Sequence, residues 1–106
     1  MKAEHLLEQT IATIKARRQA YGDADILFRD IAERWSITIG VTITPEQVIL
    51  CMIQLKLGRL AHDPGHEDSI VDIAGYAACL TMFSFGMVEQ KLSKNKSMVR
   101  LIIRMK

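Results

Sequence analysis

Turn formers are scarce in this chain. It has two prolines and six glycines in 106 residues, too few for the frequent breaks of a multi-stranded or loop-rich fold. It has two cysteines, Cys51 and Cys79, each among apolar residues and without CxxC spacing. That excludes a redox motif and predicts buried free thiols in a reducing compartment. The longest nearly apolar run, Tyr76 to Val88, falls short of the ~20 residues that cross a bilayer. Met1 to Arg18 is polar-periodic and lacks the continuous apolar stretch of a signal peptide. A cytoplasmic protein without a membrane partner is expected. There is no glycine-rich phosphate loop and no Ser-His-Asp arrangement.

Acid is missing from one end. From Lys91 onward the chain has Lys91, Lys94, Lys96, Arg100, Arg104 and Lys106 and no carboxylate side chain, leaving eight basic against twelve acidic residues before it. A uniformly basic nucleic-acid surface is thereby excluded. Any nucleic-acid contact is expected through this tail alone. We divide the chain into a helical domain over 1–92 and a basic tail over 93–106.

What is abundant is apolar side chain, 49% of the sequence, enough for a core in one ordinary domain. Its spacing is helical. Leu6, Leu7, Ile11 and Ile14 predict a first helix over 3–20, stopped by Tyr21-Gly22-Asp23, with Asp23 placed to cap the next. Phe28, Ile31, Ala32, Trp35 and Ile39 form the stripe of a second helix ending near Gly40. Thr44-Pro45-Glu46-Gln47 has an N-cap threonine, proline at the first helical position and glutamine at the capping-box position. It opens a third helix, over 45–61, whose apolar residues run all the way round. A helix apolar on every side is expected to be buried on every side, and in so short a chain a second protomer would supply the cover. A fourth helix over about 67–92 follows the turn His62-Asp63-Pro64-Gly65-His66. The small residues of its first half, Ala74, Gly75, Ala77 and Ala78, permit close approach of another helix. The fold class expected is all-α, a bundle of about four helices with a central helical hairpin, assembled as a homo-oligomer.

One polar cluster stands out, between Gln54 and Tyr76. Lys56 and Arg59 are three apart on the third helix, and Asp68 and Asp72 four apart on the fourth. An antiparallel hairpin brings the two pairs together. The plain reading is a salt-bridge network that fixes helix register. The functional reading is a pocket in which Lys56 and Arg59 take a phosphate and the aspartates hold a metal ion or a sugar hydroxyl. His62 and His66 have the i,i+4 count of a zinc helix, but Pro64-Gly65 interrupts it, so a capping role is favoured. The doublet His62-Asp63 has only His5 upstream as a partner histidine, a weak phosphohydrolase signal. Tyr76, one turn beyond Asp72, is the better candidate to stack on a base, and Trp35 is read as core.

Tyr21-Gly22-Asp23, Phe28, Ile31-Ala32, Trp35, Ile43-Thr44-Pro45, Gln47-Val48, Leu55-Lys56, Arg59-Leu60, His66, Asp68-Ser69, Val71-Asp72 and Ala74-Gly75-Tyr76-Ala77-Ala78 together resemble an uncharacterised small helical domain family of bacteriophages and prophages. The resemblance covers about Glu8 to Leu80 and implies an infected or lysogenic bacterial host. A more distant likeness is to MazG-like all-α nucleotide pyrophosphohydrolases. It implies a Mg2+ site built from Asp30, Glu33, Asp68 and Asp72, with Ser69 standing where that family has a carboxylate. Losing that ligand weakens metal-dependent hydrolysis.

Three readings follow. The first is a phage-type protein that binds a small phosphorylated nucleotide through Lys56, Arg59, His66, Asp68, Asp72 and Tyr76, without a cofactor and without turnover, to sequester a host immune signal. The second is the Mg2+-dependent pyrophosphohydrolase. The third is a structural or host-interaction module.

Overall fold

A computed structural model describes residues 2–94, and the side chains of residues 2–83. Among the described residues there are four helices: α1 (Ala3–Tyr21), α2 (Ala24–Ile39), α3 (Pro45–His62) and α4 (Glu67–Lys94). The expected all-α class and the positions of all four helices are borne out. The basic tail lies outside the described residues from position 95 on, although its first two residues belong to α4.

Each helix end has a local cause. At the start of α3 the Thr44 hydroxyl accepts from the Gln47 N–H (3.2 Å), and the Gln47 side-chain oxygen accepts from the Thr44 N–H (2.9 Å). This is the capping box the sequence predicts, and it satisfies two donors that a helix start leaves open. α2 ends on Gly40, at φ 85° and ψ 13°, a left-handed conformation that costs an L residue roughly 1–2 kcal/mol. Asp23 occupies the N-cap position of α2 but makes no side-chain capping bond; its residue borders a cleft instead. Ser36 ties the end of α2 to the following loop. Its hydroxyl donates to the Ala32 carbonyl (2.7 Å) and accepts from the Ile43 N–H (2.8 Å).

α3 and α4 form the expected hairpin, α2 packs on α3, and α1 packs mainly along α4. The core gathers Phe28, Ala32, Val48, Ile49 and Phe83, with Trp35, Ile53, Tyr76, Cys79 and Leu80 against it. Trp35 is thus a core residue, as its spacing implies. Val48 and Ile49 are fully buried, each worth about 1.5–3 kcal/mol of apolar transfer.

Part of α3 is left open by the chain's own helices: Leu50, Leu55 and Leu57 are 44–53% exposed, the surface for which a second protomer was expected as cover. Two helices cover one side of α3, and α1 lies elsewhere. Cys51 is exposed on that same open side, and Cys79 is half-buried, so only one thiol approaches the buried state expected of both. Among the described residues no helix is long and apolar enough to cross a membrane.

Candidate functional site

α1, α2 and α4 splay around a cleft of about 910 Å3. Its floor on α4 is one helical face, Asp72, Gly75, Tyr76 and Cys79, spaced i, i+3, i+4, i+7. Gly75 leaves that floor low, since a Cβ there would meet nothing within 4 Å. Of the small residues expected to admit another helix, Gly75 and Ala78 border the cleft. Phe28, Ile31 and Trp35 supply the wall on α2, and Thr13, Ile14, Arg17, Arg18 and Tyr21 the wall on α1. The Tyr76 ring meets Phe28 edge-on, with centroids 6.2 Å apart and planes at 68°, which fixes its orientation.

Arg17, Arg18, Asp23, Asp25 and Asp72 border the cleft, and Lys56, outside its lining, reaches Asp72 from α3. The two oxygens of Asp72 are shared between helices: Oδ2 accepts from Lys56 Nζ at 2.9 Å and Oδ1 from Arg17 Nη2 at 3.0 Å. Lys56 and Asp72 side chains are each 14% exposed, and that of Arg17 is 50% exposed. Two cations on one carboxylate leave one net positive charge, partly withdrawn from water. Burial pushes the Cys79 thiol up from 9.0, partly offset by the nearby charges of Arg17 and Arg18.

The residues expected at the site separate into two groups. Lys56, Asp72 and Tyr76 are brought together. Arg59 is exposed and does not pair with Asp72; a three-residue step turns it about 60° from Lys56, onto the outer side of α3. Asp68 is exposed and does not border the cleft. His66 stands just before α4, where its Nδ1 accepts from the Ser69 N–H (3.3 Å) and lies 2.7 Å from the Ser69 hydroxyl. That is the capping role favoured over zinc. Ser69, fully buried, is committed to this contact.

The metal quartet is not assembled. Asp30 and Glu33 lie about 200° and 140° round α2 from buried Phe28, on the outer surface, where Asp30 pairs with Arg34 at 3.0 Å. Asp72 faces inward. Among the described residues no three His, Cys, Asp or Glu side chains converge to hold an ion.

Sequence reasoning missed Arg17. Its signal was present: Thr10, Thr13, Ile14 and Arg17 continue one stripe of α1. Nothing local, however, showed that α1 would lie along α4 with that stripe inward.

Fold and site together define an all-α, four-helix domain with an apolar cleft flanked by a cation–carboxylate–cation cluster. The chain belongs to the family described as Domain of unknown function (DUF6378), whose family model matches residues 5–84. It is 46% identical over 65 residues to the Gene 55 protein of Mycobacterium phage L5, covering 60% of this chain and 42% of that protein. With the Gene 55 protein of Mycobacterium phage D29 the identity is 34% over 79 residues, 74% of this chain and 52% of that protein. The chain spans about half the length of the curated relatives it matches. No solved structure matches it. These findings bear out the resemblance to an uncharacterised phage domain and lend none to the MazG-like likeness.

Proposed function

We propose that the cleft binds a small phosphorylated nucleotide and holds it without hydrolysis, so that a phage protein of this kind sequesters a nucleotide-derived signal of its host. The observation that carries this reading is the Lys56–Asp72–Arg17 cluster at the edge of an apolar, aromatic-walled cleft, where Arg18 adds a second guanidinium and Asp23 and Asp25 lie at the end formed by the α1–α2 link. A partly desolvated excess cation attracts an anion more strongly than a surface one. Phosphate is the anion that Arg17 and Lys56 suit best, through a planar fork and a point charge respectively. Asp72 holds the two cations apart and oriented, and Tyr76, braced by Phe28, offers a ring for a base. A cleft of this size also lies within the range of ordinary small-molecule sites. The scattered carboxylates favour retention of the ligand over metal-activated attack by water.

A thermal-shift panel of nucleoside mono-, di- and triphosphates and cyclic nucleotides tests the reading. A ligand at about a hundred times its Kd stabilises by about 2.7 kcal/mol. Lys56→Met and Tyr76→Ala should each abolish most of the shift, and the nucleotide should be recovered intact. If no member of the panel stabilises the protein, the third reading takes over and the cluster is a register device, which the direct pairing of Asp72 with both cations already satisfies. Release of pyrophosphate would restore the pyrophosphohydrolase.

A further inference from the structure

The outward side of α3 is an unusual surface. Gln47, Leu50, Gln54, Leu57 and Ala61 follow one another at spacings of three and four, all of them exposed, with Cys51 and Gly58 beside them. None carries a formal charge, in a chain where a quarter of residues do. Three-four spacing is the seam of a helix that packs lengthwise on another. Gly58 is a second, independent observation. A glycine inside a helix is unfavourable relative to alanine, yet a Cβ at this position would meet nothing within 4 Å. No neighbour in its own chain requires the gap.

The geometry points to a second copy of this chain as the occupant, with the two α3 helices antiparallel and crossing at Gln54. In that register, the knob of Leu50 enters the hole framed by Gln54, Leu57, Gly58 and Ala61 of the other copy. Leu57 likewise enters the hole framed by Gln47, Leu50, Cys51 and Gln54. One face thus supplies both the knobs and the small residues that admit them, as a two-fold interface requires. A residue on the axis faces itself, so charge there would repel charge. Gln54 instead has an amide that both donates and accepts, and can bond to its own copy. Leu50 and Leu57, the two large apolar side chains of this face, are 50% and 44% exposed, so each has apolar surface for the other copy to cover.

Light scattering coupled to size exclusion, over a concentration series of the full chain, should give twice the monomer mass. Gly58→Leu fills the hole from a position where an added Cβ meets nothing within 4 Å, and Gln54→Glu sets two carboxylates on the axis. Each should weaken the dimer at least about tenfold with circular dichroism unchanged. An equimolar mixture of Gln54→Glu and Gln54→Lys should restore it. A wild-type chain that stays monomeric throughout would overturn the proposal. So would a dimer indifferent to both substitutions, or charge variants that fail to complement each other.

Discussion

Asp72→Ala is the substitution whose effect follows most directly from the geometry. The carboxylate neutralises Lys56, whose side chain is 14% exposed, and also Arg17, which is 50% exposed. Breaking a fully buried pair from one side costs roughly 3–5 kcal/mol, while a surface pair contributes about 0–1. A cluster this shielded falls between, so Asp72→Ala should cost about 2 kcal/mol, chiefly by leaving Lys56 unpaired. Lys56→Ala should cost less, about 1 kcal/mol, because Arg17 still meets the carboxylate. Arg17→Ala should cost at most about 0.5 kcal/mol, since water already screens that half of the cluster. The assay is urea unfolding followed by circular dichroism, with thermal midpoints falling about 4–8 °C per kcal/mol for a chain of this size. Replacing both partners, as Lys56→Met with Asp72→Leu, should recover most of the loss, because neither charge is then stranded. The reasoning fails if Arg17→Ala is as damaging as Asp72→Ala, or if the double replacement is no better than the single one.

Burial raises the Cys79 thiol, so its labelling by iodoacetamide should lag behind that of exposed Cys51 and accelerate only at pH well above 9.0. A raised acid is protonated longer in the folded state, so Cys79 adds no pH dependence below 9.0, and stability should fall as pH rises beyond it. A ligand in the cleft should slow Cys79 labelling and leave Cys51 unchanged. In the core, Ile49→Ala should cost about 2–5 kcal/mol in chemical unfolding, while Leu55→Ala, on the exposed side of the same helix, should stay within about 0.5.

What could be read from the sequence was local. The capping box at Thr44 and Gln47 involves residues three apart, so the chain itself states it, and the structure shows both bonds. The stops at Gly22 and Gly40 are likewise local, and both residues have positive φ. Half of the site was legible for the same reason, because Lys56 and Asp72 lie on the two arms of one short hairpin. Arg17 was not, being 55 residues from Asp72 in sequence and joined to it only by the way α1 folds back. Arg59 was misplaced because a three-residue step shares a helix surface without sharing a burial. The apolar circumference of α3 states how much surface needs cover, and composition does not say which part of it the chain's own helices supply.

The small bond network at Ser36 has a consequence for motion. By fastening the last turn of α2 to Ile43, just before α3, it joins the two helices into one stiff elbow. α1 has no such fastening: Thr10 is its one buried residue among those described, and Arg17 is its ion-pair link to Asp72. α2 and α3 are thus joined by side-chain bonds as well as by packing, while α1 is held by its packing along α4 and by Arg17 on Asp72. Amide exchange should register this as fast opening along α1 and slow opening across the α2–α3 elbow. A molecule entering the cleft would meet Arg17 on Asp72, so the charges that greet it are the same ones that tie α1 to α4.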